Sequence, residues 1–68
     1  MNDAKQRVKE ELNQVGERLD KLISFILVNP KFKDLPDEQQ FLLEEQERVM
    51  YAYTEILKRR LAIWDNGK

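Results

Sequence analysis

The sequence predicts an all-α fold: an antiparallel two-helix hairpin that assembles into a homo-oligomer. Three observations predict it. Apolar residues recur at heptad spacing through two long segments, both prolines fall in the short stretch between those segments, and the apolar surface is wider than one partner helix can cover.

Helix one is expected from about residue 3 to residue 28. Its Val8, Leu12, Val15, Leu19, Leu22 and Ile26 are spaced 4, 3, 4, 3, 4, which is a heptad seam. Asn29-Pro30 ends it, because the residue before a proline is pushed out of the α region. A turn over 29–35 follows, and Phe32 and Leu35 are expected to fold inward and plug the closed end. So short a link makes the two helices antiparallel.

Helix two is expected from about 36 to 65. Pro36 opens it, and Asp37 and Glu38 place negative charge where a helix N-terminus favours it. Asn66-Gly67 is a stop signal. At 1.5 Å per residue each helix is roughly 40 Å long. The heptad rhythm occurs twice here. One line is Leu42, Gln46, Val49, Tyr53, Ile56, Arg60 and Ile63; the other is Leu43, Met50, Leu57, Leu61 and Trp64. One partner helix covers one line but not both. Residues 22–28 are likewise apolar nearly all round, as in a helix buried on every side.

Sixty-eight residues make a single domain, 1–68, with a marginal core. Small proteins compensate with disulfides, metals or partners. With no Cys and no His, disulfides are excluded and most zinc chemistry is removed, so partners remain. A fat intramolecular core is the bland alternative to an oligomer. The 12 basic and 13 acidic residues leave a net charge of −1, which argues against a dedicated binder of duplex nucleic acid. No apolar run approaches a membrane span, and Met1-Asn2-Asp3-Ala4-Lys5 lacks the apolar core of a signal peptide. The chain reads as soluble and intracellular.

An enzyme is not expected. Without His or Cys, acid–base or nucleophilic work falls to carboxylates, Lys, Tyr or Ser. The carboxylates sit where solvated helix faces put them, in pairs such as Glu17 with Lys21 and Glu44 with Arg48 at i,i+4. No Gly-rich phosphate loop is present, and no cofactor is called for.

The charges are unevenly spread. Antiparallel folding gathers residues 1–9 and 57–68 at the open end, where Lys5, Arg7, Lys9, Lys58, Arg59, Arg60 and Lys68 face only Asp3 and Asp65. The rest of the chain carries five basic residues against eleven acids. Late basic residues favour the dipole of helix two, which accounts for Lys58 to Arg60 but not for Lys5, Arg7 and Lys9. An anionic ligand at the open end is the functional reading. Gln46, Tyr53 and Arg60, seven apart on one line, either specify coiled-coil register or, repeated about a symmetry axis, gather guanidiniums around a phosphate. Gly16, mid-helix, costs about 1 kcal/mol relative to Ala and marks a close contact, a ligand approach or nothing.

Taken jointly, these residues resemble a known family. The pattern is Arg7-Val8, Glu11, Leu19, Lys21-Leu22, Phe25-Ile26, Phe32 and Leu35, then Leu42-Leu43, Gln46, Met50, Tyr53, Ile56-Leu57 and Arg60. It is similar to the small helical-hairpin proteins of phages that counter CBASS immunity, a hairpin shared with a Thoeris anti-defence protein. The resemblance implies a homohexamer of interlocked hairpins in the host bacterial cytoplasm. It implies a sponge, which binds cyclic di- and trinucleotide signals without cleaving them and so starves the host effector. Lys21 matches a lysine that looks like a phosphate contact, and Arg60 an arginine of a trinucleotide site between subunits. Relatives stack a base on an aromatic near the start of helix one. Gln6 and Arg7 stand there in this chain, where an Arg plane stacks on a base and Gln bonds its edge.

The expected ligand-binding residues are therefore Gln6, Arg7, Lys21 and Arg60. The rival expectation is a structural or adaptor coiled coil with a protein partner. A transcript- or DNA-binding hairpin, whose affinity collapses with salt, is a third.

Overall fold

Two long helices account for most of the chain. A computed structural model describes residues 3–66, with α1 over Asp3–Val28, a short α2 over Lys31–Asp34 and α3 over Asp37–Asn66. The stop signal at Gly67 and the charge of Lys68 lie outside the described residues. Among those residues there is no strand, and α1 packs along α3. The two run antiparallel: Glu11 meets Tyr53, while Ala4 and Arg7, earlier in α1, lie beside Leu57 and Arg60, later in α3.

The connection is tightly bonded. Asn29 donates its backbone N–H to the Phe25 carbonyl at 3.3 Å and accepts from the Phe32 N–H at 3.1 Å. Its side-chain Oδ1 accepts from the Lys31 N–H at 2.9 Å, the local bond that suits Asn to turns. Pro30, at φ −63°, is already in the helical region, so α2 starts directly after it. Leu35 then swings to ψ 152°, the extended conformation that a following proline imposes. The Gln40 amide reaches back from the first turn of α3 and donates to the Leu35 carbonyl at 2.8 Å and the Lys33 carbonyl at 3.3 Å. The Pro36 carbonyl accepts from Gln40 N–H at 3.0 Å, closing the first turn of α3.

This connection positions the core. Phe32 is buried and meets Phe25 edge-on, ring centroids 6.0 Å apart, a favoured aromatic geometry. Leu35 is half-buried beside them in sequence. Along the interface α1 contributes Val8, Val15 and Leu19, all buried, with Leu12, Leu22 and Ile26 half-buried. From α3 the line Leu43, Met50, Leu57, Leu61 and Trp64 faces inward, and Leu57 is 1% exposed. Thr54, on the same line, is also buried; its hydroxyl donates to the Tyr51 carbonyl at 2.7 Å, so burial leaves no unsatisfied group.

The second α3 line is uncovered. Leu42, Val49, Ile56 and Ile63 repeat every seven residues and all are exposed, Val49 at 65% and Ile63 at 70%. The hairpin measures 50 × 15 × 14 Å, only two helices thick, so no third element covers this face. A fat intramolecular core is therefore ruled out for the described residues. Phe41 and Tyr51 on α3, and Leu27 and Val28 at the end of α1, are exposed as well. No described helix is long and apolar enough to cross a membrane.

Candidate functional site

The open end is built by register. With Glu11 opposite Tyr53, each turn of α1 toward the N-terminus moves one turn of α3 toward the C-terminus. Arg7 is one turn before Glu11 and Arg60 two turns after Tyr53, so side chains 53 positions apart in sequence line one groove. Its walls are Ala4, Arg7, Val8 and Glu11 from α1 and Tyr53, Leu57 and Arg60 from α3, around an open volume of about 320 Å³. Leu57 and Val8 form an apolar floor; the charged groups stand at the rim.

Tyr53 donates its hydroxyl to Glu11 Oε2 at 2.9 Å. That bond above all, then partial burial and the carboxylate's charge, holds the phenol above its ordinary pKa, with Arg60 pulling the other way. The Arg60 guanidinium lies over the Trp64 ring, 6.0 Å from its centroid, a weak cation–π contact at the groove's edge. Arg7 and Arg60 have no ion-pair partner among the described residues.

Lys21 lies elsewhere. It lines a second open groove with Asp20, Ser24, Phe25, Val28, Asn29 and Pro30, against the turn. Fourteen residues of helix separate it from Arg7, about 21 Å along the axis. The i,i+4 pairing of Lys21 with Glu17 is not formed, which leaves the ammonium without an ion-pair partner among the described residues. Arg48 likewise takes Glu45 rather than Glu44, and Lys58 takes Glu55 at 3.4 Å, both at i,i+3. Gln6 is exposed and lines neither groove. The structure thus brings Arg7 and Arg60 together and leaves Gln6 and Lys21 apart from them.

Sequence reasoning treated Glu11 as part of a solvated face and Tyr53 as a register residue, and missed their pairing. No local signal marked it, because the two residues lie 42 positions apart on different helices and meet only when those helices pack. Of the readings open for Gly16, a close contact within the hairpin is excluded, since a Cβ built there meets nothing within 4 Å.

Comparison with curated proteins and with solved structures yields no match. A family model described as Sequestin matches residues 2–63, a span that takes in α1, the turn, most of α3, and Gln6, Arg7, Lys21 and Arg60. The chain belongs to the Sequestin family.

Proposed function

We propose that this chain is a phage-encoded, non-enzymatic sponge that sequesters cyclic di- and trinucleotide immune signals in the host bacterial cytoplasm and so blocks CBASS effector activation. The observation that carries the reading is the shared groove of Arg7 and Arg60, two cations without ion-pair partners above an apolar floor. Each guanidinium can grip a phosphate through two parallel charge-assisted hydrogen bonds, which are among the stronger polar contacts a side chain makes. Lys21, in its own groove beside Phe25, is a second phosphate contact, and Gln6, next to Arg7 in sequence but outside its groove, bonds a base edge. The family's description accords with sequestering a ligand.

The functional unit in this proposal is a homohexamer. The uncovered line Leu42, Val49, Ile56 and Ile63 supplies its contact surface, and Tyr53 and Arg60 interleave with that line. Association then repeats the cationic groups around a symmetry axis and multiplies their field.

The test is calorimetry against a panel of cyclic di- and trinucleotides, with chromatography of the ligand afterwards. Expected are heat, a stoichiometry below one ligand per chain, and ligand recovered intact. A flat trace at concentrations well above micromolar overturns the proposal. The uncovered apolar line also favours a second reading, an adaptor coiled coil for a protein partner, which predicts a dimer or tetramer and no thermal shift from nucleotides.

A further inference from the structure

A carboxylate is out of place in a groove that grips phosphates. Glu11 stands one helical turn from Arg7 and shares the groove with Arg60, where its charge opposes any bound anion. It is also held in place. The Tyr53 hydroxyl occupies one lone pair of Oε2 at 2.9 Å in a solvent-exposed bond, which restrains the carboxylate and leaves Oε1 and the rest of Oε2 able to accept further hydrogen bonds.

An ionised carboxylate only accepts hydrogen bonds, so a ligand that uses it must bring donors. Two oxygens side by side suit two adjacent N–H groups. Among the nucleobases guanine offers that pair, N1–H and N2–H₂, on one edge; adenine, cytosine and uracil present a single donor group there. The spacing fits as well. Tyr53 and Arg60 are seven residues apart, about 10 Å along α3, which is the reach of a nucleotide from base edge to phosphate.

We infer that Glu11, oriented by Tyr53, is a specificity residue that reads the N1–H/N2–H₂ edge of a guanine whose phosphate lies between Arg7 and Arg60. This rests on the cyclic-nucleotide reading above and adds the base that the groove selects. Arg7 and Arg60 supply affinity for any phosphate; Glu11 makes the difference between bases. Tyr53 is a positioning residue, acting through the carboxylate.

The experiment uses the whole chain and four probes: a guanine-containing cyclic dinucleotide, its inosine counterpart lacking the N2 amine, an adenine-only cyclic dinucleotide, and pyrophosphate as a base-free anion. Wild-type protein should prefer the guanine ligand to the inosine and adenine ligands by about tenfold or more, the discrimination of a good bidentate pair. Glu11→Gln should erase that preference while pyrophosphate binds as well or better, and Tyr53→Phe should reduce the preference without removing it. Equal wild-type affinity for the three nucleotides, with pyrophosphate still bound, overturns the guanine assignment alone. So does a Glu11→Gln variant that gains affinity for all four probes equally, since the carboxylate is then only a repulsive charge. Failure of wild-type protein to bind any probe overturns the sponge reading together with this one. The inosine comparison needs no variant, so a folding defect in Glu11→Gln leaves the test intact.

Discussion

The Tyr53 hydroxyl donates to Glu11 Oε2 at 2.9 Å across the hairpin, joining residues 42 positions apart. It ties α1 to α3 at the end where the cationic groove forms, in the register that places Arg7 and Arg60 in one groove.

The bond carries a pH signature. The folded hairpin holds the Tyr53 proton more tightly than the unfolded chain, so the phenol's pKa is raised on folding. Its contribution to stability is therefore complete below the unfolded value of about 10 and is lost as pH rises through the folded value. Melting temperature should fall above about pH 10, and Tyr53→Phe should flatten that part of the profile. An alkaline absorbance titration checks the assignment, because the variant lacks a phenol that titrates late.

Leu57 is the most deeply buried side chain of the hairpin, at 1% exposure. Leu57→Ala removes its packing and leaves a cavity against Val8, at a cost of about 2–5 kcal/mol. A core this small supplies little more than that. The variant should lose most of its helical circular dichroism at 25 °C, or recover it only at high protein concentration if association supports folding.

Val49 and Ile56 are apolar residues of the uncovered line, one heptad apart. The double substitution Val49→Lys with Ile56→Lys leaves the α1–α3 seam untouched. In light scattering its mass should drop toward the 8.2 kDa of one chain, from the roughly 49 kDa of the proposed hexamer. An unchanged mass would remove this line from any interface between copies.

Gly16 has open space where a Cβ would stand. Gly16→Ala should therefore raise stability by about 1 kcal/mol through helix propensity alone, read as a higher midpoint in urea. A lower midpoint would place another copy of the chain, or a ligand, against this turn of α1.

Much of the fold was legible in residues that act locally. Asn29-Pro30 and Leu35-Pro36 break the helices through backbone sterics, which need no partner to operate. The heptad seam of α1 was readable because its polar and apolar faces differ sharply, and Val8, Val15 and Leu19 are buried as that pattern demands. The site was legible only in part. Arg7 and Arg60 were singled out by charge and by resemblance, whereas Glu11 and Tyr53 carried no local mark of their pairing.

By itself, then, the sequence determined two helices, their antiparallel path, and an apolar surface too wide for one partner. Periodicity and proline sterics are properties of the chain over a few residues, so they survive reading in one dimension. Only the tertiary structure decided which of two equivalent heptad lines on α3 faces α1. Both lines have the same spacing, and the choice depends on the rotation of α3 about its axis, where the Phe32 plug and the Gln40 clamp hold its start. That rotation buries Leu57, exposes Val49 and Ile56, and turns Tyr53 and Arg60 toward Glu11 and Arg7. The same seven-residue rhythm that made the hairpin readable left its functional face ambiguous until the helices packed.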